Sequence, residues 1–231
     1  MTRRKIEYWV IPPEADAEFA ASMEEVLDVY ARPYDVWHPV LCMDEQPIQL
    51  FRETRTPIAA TSRHPRRVDY EYERAGTASI FLFCEPLSGW REVSVRERRT
   101  KVDWAQEVER LLRSRYASAE AVTLVCDNLN THTKGAFYEA FEPEPARQLV
   151  RRLDFCHTPK HGSWLNIAEN ELSAMTRPCI TGRRFATVEL LREETTAWHE
   201  HSNDQQRGVD WQFKVDDARA KLKSVYPKLQ V

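Results

Sequence analysis

The sequence predicts an α/β protein in which a mixed sheet is covered by helices. Three observations carry that reading: the most apolar run in the chain at 77–86, TASIFLFCEP; an alternating run beside it at 91–98, REVSVRER; and a change of hydrophobic period at residue 102, after which helical and strand-like segments alternate. Hairpin-like strands followed by strand–helix alternation give a sheet of mixed direction with helices on its faces.

The elements follow in order. Residues 14–31 space Phe19, Met23, Val26, Leu27 and Tyr30 as one helical face, with Pro12 and Pro13 before it and Pro33 after. PVLCMD at 39–44 reads as a short buried strand and IQLFRE at 48–53 as a second one, while the charges and prolines of 54–74 read mostly as loop. The run 77–86 reads as a central strand, turned by LSG into the half-exposed partner 91–98. In 102–116, Trp104, Val108, Leu111, Leu112 and Tyr116 share a helical face. Next come a strand at 121–127, AVTLVCD, helices at 134–141 and 144–153 broken by EPEP, and a strand at 153–159, LDFCHTP. A helix is expected over 163–176 with Ser163 as its N-cap, another over 186–201, a short strand at WQFKV (211–215), and a last helix from about Asp216 to Tyr226.

The 231 residues suffice for one large domain, and the 42% hydrophobic content supports a real core. No apolar run is long enough to span a bilayer, and the opening MTRRKIEYWVIPPE lacks the apolar stretch of a signal peptide, so the expected location is the cytosol. The five cysteines, Cys42, Cys84, Cys126, Cys156 and Cys179, are scattered and never form CxxC, which argues for small buried thiols rather than a zinc site. None of the six glycines forms GxGxxG or GxxxxGK, which disfavours a nucleotide-binding α/β fold. The net charge is −3, yet residues 14–28 hold six acids and no base, and setting those aside leaves +3 on the remainder. Basic clusters at 62–67, 96–101 and 177–184 then stand out as possible phosphate contacts, or as ordinary solvated surface.

The chemistry rests on acids placed at comparable points. Asp44 ends one strand (VLCMDE), Asp127 ends another (TLVCDN), and an acidic pair, Glu169 and Glu171, lies in the late helix. Sites in α/β sheets form beyond strand ends. Two carboxylates brought together there resist joint ionisation unless a cation lies between them. Oxygen donors suit Mg²⁺ or Mn²⁺, and two such ions can clamp the attacking and leaving oxygens of a phosphoryl displacement. Asp at a strand end is also ordinary turn chemistry. Asn128 and His132 fit a supporting or substrate-contacting role beside Asp127, although His132 could instead cap the helix beginning near Thr133. Glu169 and Glu171 point about 200° apart. Glu169 lies at the edge of the buried face and Glu171 nearer it, and periodicity does not choose between them. Lys160 and His161 precede this helix and could meet a phosphate. Trp164 aligns with the apolar face and reads as core.

CMDE, LVCDNLNTH and TPKHGSWLNIAENELS, in this order, resemble the DDE transposases of the insertion-sequence 630 family, relatives of the Tc/mariner elements. The likeness runs from about Ile11 to the C-terminus. It implies an RNase H-like fold with a mixed five-stranded sheet flanked by helices, and two divalent ions, Mg²⁺ or Mn²⁺, held by Asp44, Asp127 and Glu169. Glu169 is selected as the acid three residues after Asn166 of the LN motif; Asn166 joins Asn128, His132, Lys160 and His161 as a supporting or DNA-contacting candidate, and Glu171 stays the alternative third carboxylate. The resemblance also implies hydrolysis of double-stranded DNA at transposon ends, joining of the freed 3′-hydroxyl to target DNA at TA, a homodimer in the DNA complex, and action in the bacterial cytoplasm at the nucleoid. The expected division is a helical segment and linker at 1–36, the catalytic domain at 37–205 and a helical extension at 206–231. Family members carry helix-turn-helix domains before the first carboxylate; here it arrives by residue 44, so such a domain is expected to be absent. Another RNase H-like nuclease, or a non-catalytic DNA-associated remnant, are the competing readings.

Overall fold

Asp16 starts the first helix by accepting the Phe19 N–H at 3.0 Å, and α1 runs Ala17–Tyr30 with Phe19, Met23, Val26, Leu27 and Tyr30 buried. The computed structural model describes residues 11–12 and 14–228. The charged opening residues 1–10, Pro13, and residues 229–231 lie outside them.

Five strands follow the order β3-β2-β1-β4-β5: β1 (Val40–Glu53), β2 (Tyr72–Glu85), β3 (Trp90–Arg96), β4 (Val122–Cys126) and β5 (Leu153–His157). β1, β2 and β3 pair antiparallel, whereas β4 runs parallel to both β1 and β5. The mixed sheet is therefore as expected, with one correction. The two strands expected at 39–44 and 48–53 are one continuous strand, interrupted in sequence by Pro47. β4 pairs with β1 only over Val40–Cys42, so Pro47 lies where that second edge carries no strand, the setting in which a strand tolerates proline. β2 likewise starts at Tyr72, inside the stretch expected as loop.

Strand alternation sends successive side chains to opposite faces, and each face has its own core. Cys42, Ile80, Leu82, Val125 and Cys156 pack with α1 and with α5 (Ile167–Cys179). Leu41, Met43, Phe81, Phe83, Leu124 and Cys126 pack with α2 (Lys101–Arg113), α3 (Lys134–Ala140) and α4 (Pro143–Val150). α6 (Val188–Asp204) lies against β3, and Ala218 of α7 (Val215–Lys221) joins the α1 side. Thr100 caps α2 through a reciprocal box with Asp103.

Two further expectations are corrected. Ser163 does not cap a helix: Ser163–Leu165 is a single 3₁₀ turn, and α5 starts after Asn166, whose side chain accepts the Ala168 N–H. The prediction missed the short polar cap one turn later, which does that work better than a hydroxyl at 163. WQFKV is not a strand: Val215 opens α7, and 211–214 run without regular structure along the core edge, Trp211 against Tyr30 at 5.4 Å and Phe213 against Trp164 at 6.1 Å between ring centroids. Its apolar residues serve packing without a ladder partner.

Candidate active site

β1 and β4 place the first two acids. Cys42 is paired with Val125, so Asp44 and Asp127 each stand two residues beyond matched positions of adjacent parallel strands. Asp127 follows the end of β4, whereas Asp44, expected to end its strand, lies inside β1, which runs on along β2 to Glu53. By alternation Asp44 shares the face of Cys42, which α5 covers. Glu169 sits in the first turn of α5. Asp44 and Glu169 line one open cleft of about 510 Å³ together with Glu45, Gln46, Leu172, Ser173, Thr176 and Arg177; Asp127 stands outside that lining.

Residues 43–45 hold the site together. The buried Asn166 side chain donates to the Met43 carbonyl at 2.9 Å while capping α5 at 3.1 Å, so one side chain fixes the helix start to the strand that carries Asp44. Tyr30 braces the same point by donating to the Leu165 carbonyl at 2.8 Å, and Thr176 donates to Gln46 at 2.8 Å about two turns beyond Glu169. Asp44 itself accepts the Glu45 N–H at 2.7 Å.

The electrostatics of Asp44 are set by burial and by the acids around it. Burial pushes the Asp44 carboxyl up to about 6; the Glu45 N–H opposes this, and the charges of Asp127, Glu169 and Glu45 add to it. Asp127 Oδ1 and Glu169 Oε2 are buried without a hydrogen-bond partner. Buried acceptors with no donor are rare in folded proteins and call for an explanation. Hard oxygen donors that lack donors of their own fit a divalent cation. Among the described residues, no three of His, Cys, Asp or Glu are close enough to share one ion, so binding requires these side chains to draw together.

His132 is buried, and it does not cap α3, whose N-cap is Thr133. Its Nε2 meets Glu45 Oε1 at 3.0 Å. Its Nδ1 is bonded to the Asp127 carbonyl at 3.2 Å and also stands 2.6 Å from Asp127 Oδ1, outside hydrogen-bond geometry. Burial opposes charge on the ring, but the contacts with Asp127, Cys126 and Glu45 outweigh it and hold its pKa well above the ordinary value. Asn128 is exposed beside Asp127, and Lys160 and His161 are exposed in the loop after β5. Gly162 closes that loop, because a Cβ there would stand 2.5 Å from Pro159 Cγ. The structure gives Glu171 a different place: it is gripped by Arg91, at 2.5 and 2.8 Å, beside a separate hollow on the far side of α5. Glu45 and Tyr30 escaped sequence reasoning; the only signal for Glu45 was its position inside CMDE.

A mixed five-stranded sheet between helices, with one acid inside the central strand β1 and another just past the adjacent parallel β4, is the arrangement of the RNase H-like class. The chain belongs to the DDE superfamily endonuclease family, which matches residues 39–192. Solved structures with the same fold include the Mos1 strand transfer complex (TM-score 0.57, 14% identity, 89% of this chain and 61% of that one). The Mos1 mariner paired end complex with Mn has a TM-score of 0.56 at 16% identity, over 89% of this chain and 62% of that one. The corresponding complex with Mg has a TM-score of 0.55 at 15% identity, over 98% of this chain and 68% of that one. The chain thus spans about three fifths of the first two. No curated protein matches it. No helix among the described residues is long and apolar enough to cross a membrane.

Proposed function

We propose that this chain is the catalytic part of a DNA transposase related to the insertion-sequence 630 family, hydrolysing phosphodiesters at transposon ends and joining the freed 3′-hydroxyl to target DNA. The observation that carries this is the placement of three acids from distant positions about one point, Asp44 and Asp127 two residues beyond matched positions of adjacent parallel strands and Glu169 in the helix above, with Asp127 and Glu169 both raising the Asp44 carboxyl and Glu169 keeping a buried oxygen without a donor. Asp44, Asp127 and Glu169 would hold two divalent ions, Mg²⁺ or Mn²⁺. When bound, such ions activate water or a 3′-hydroxyl and stabilise the leaving oxygen. Related Mos1 complexes exist with Mn and with Mg.

The chain's own residues do the positioning. Rigid strands hold two of the acids, more tightly than loops could. Asn166 sets the height of Glu169 over Asp44. The cleft wall continues along α5 through Ser173, Thr176 and Arg177, clustered over little more than one turn, which suits a DNA backbone passing the acids. Asn128, Lys160 and His161 lie exposed at the same end of the sheet and complete the DNA-facing rim. The catalytic unit is 37–205; the helical segments within 1–36 and 206–231 brace it from one face, through Tyr30 and Ala218. Joining two transposon ends calls for two such sites, hence a homodimer on DNA, with TA as the target step.

The test is a cleavage and joining assay with the inverted-repeat duplex flanking the gene and a TA-containing target, in Mg²⁺ and in Mn²⁺. Joined product from wild type, and none from Asp127→Asn, is expected. Cut but never joined DNA would make the chain a nuclease instead. Equal inactivity of both proteins when a helix-turn-helix DNA-binding domain is supplied overturns the enzyme reading.

A further inference from the structure

We infer that Glu45 is a positioning residue that fixes the Asp127 carboxylate through His132. The inference rests on Asp127 being a metal-holding group, as proposed above. Glu45 borders the cleft of Asp44 and Glu169, but its side chain is turned away from the acids on the α5 face. Neighbouring strand residues face opposite ways, and while Asp44 lies opposite Leu82 on the α5 side, Glu45 lies opposite Phe81 on the α2 side. Its side chain is only 3% exposed there, with Arg99 Nη1 4.0 Å from Oε2. A carboxylate so buried is costly without a specific partner. Its close partner is His132 Nε2 at 3.0 Å, and that ring, 1% exposed and tilted against Trp104 at 5.3 Å between centroids, turns its other nitrogen to Asp127, 3.2 Å from the backbone carbonyl and 2.6 Å from the carboxylate Oδ1.

The geometry explains why such a link is needed. The backbone ladder between β1 and β4 ends at Cys42 and Val125, one residue short of Met43 and Cys126. Beyond that point no ladder between β1 and β4 keeps the spacing of Asp44, inside β1, and Asp127, just past β4. The line Glu45–His132–Asp127 replaces it from the opposite face of the sheet, and Glu45 moves with Asp44 because the two are neighbours, joined by the 2.7 Å bond. Outer partners of metal-holding carboxylates typically contribute about 10–100-fold to metal affinity.

The experiment is calorimetric titration of the full chain with Mn²⁺, with circular dichroism to verify folding. Glu45→Ala is expected to weaken Mn²⁺ binding by about 10–100-fold. Glu45→Gln, which keeps an acceptor oxygen for the Nε2 proton, is expected to bind close to wild type. Should Glu45→Ala not fold, Glu45→Asp takes its place, one methylene too short to reach His132 and expected to bind weakly. Asp44→Asn separates the two claims. If wild type binds no Mn²⁺, or Asp44→Asn binds as well as wild type, the metal-site reading falls and this inference with it. If Asp44→Asn loses binding while Glu45→Ala and Glu45→Asp keep it, only the positioning role is overturned.

Discussion

α5 carries two glutamates two residues apart, and the fold treats them oppositely. Glu171 is held at both oxygens by Arg91, which also donates to the carbonyls of Gly89 and Arg207 at 2.9 Å each. That side of the helix is a lock between the β2–β3 turn, α5 and the segment after α6, drawn tight enough that a Cβ at Gly89 would stand 2.8 Å from the Gln206 backbone. Glu169 opens onto the cleft, and its buried Oε2 has no donor at all. A carboxylate whose charge is already matched by a buried guanidinium has nothing left to offer a ligand. One left unmatched beside two other acids is where binding energy is available. The difference between the two sides is thus one of pairing rather than of exposure.

Substitutions on each side test this division. Glu169→Gln keeps the shape and removes the charge; it is expected to cut the rate of strand cleavage by about 10²–10³-fold, the scale of losing one group that stabilises the transition state, with little change in melting temperature. Loss of stability without loss of rate would place Glu169 with the structural acids. Glu171→Ala should do the reverse. It leaves Arg91 buried with two carbonyls for partners, at a cost of about 3 kcal/mol, the low end for a broken buried pair, and a fall in melting temperature of about 6–12 °C. Cleavage per folded molecule, measured below that transition, should stay near wild type.

This division was only partly legible in the sequence. Asp44 and Asp127 stood out because an acid closing a buried apolar run is visible locally. The choice between Glu169 and Glu171 was not, because helical spacing fixes direction but not partners, and Arg91 is 80 residues away. The same blindness hid Glu45, whose partner His132 is 87 residues distant. Elements with strong periodicity, such as α2 and α6, were read to within a few residues. The failures were where tertiary context overrode a local rule: Pro47 did not break β1, Asn166 took the cap expected of Ser163, and WQFKV had strand composition but no edge to pair with.

Asp44 sharpens the comparison through pH. Its pKa is pushed up to about 6 from 3.8 in the fold, so the folded state holds the proton more tightly than the unfolded chain does. Metal-free stability should therefore fall as pH rises from about 4 through 6, with the full penalty above 6, about 2 kcal/mol after allowing for residual contact with water. Asp44→Asn should abolish this slope and melt higher than wild type at pH 7.5 without metal. Denaturant titrations at pH 4.5 and 7.5, for both proteins, measure it; an identical slope in the two would remove Asp44 from the unmatched group.

The smallest expected effect separates how the two sides are built. The Glu171 side is held by charge, whereas Glu169 is held in place by a neutral side chain, Asn166, which caps α5 and grips the Met43 carbonyl at once. Asn166→Ala removes the cap, costing about 1 kcal/mol of stability. Asn166→Asp restores the acceptor for the Ala168 N–H, yet an ionised carboxylate cannot donate to Met43, and it adds a fourth negative charge near Asp44. If Asn166 only caps the helix, Asn166→Asp should recover both stability and cleavage. If it also sets Glu169 against β1, Asn166→Asp should stay impaired in cleavage at neutral pH. We expect the second outcome, because the bond to Met43 joins the helix to the strand that carries Asp44, and the cap alone does not.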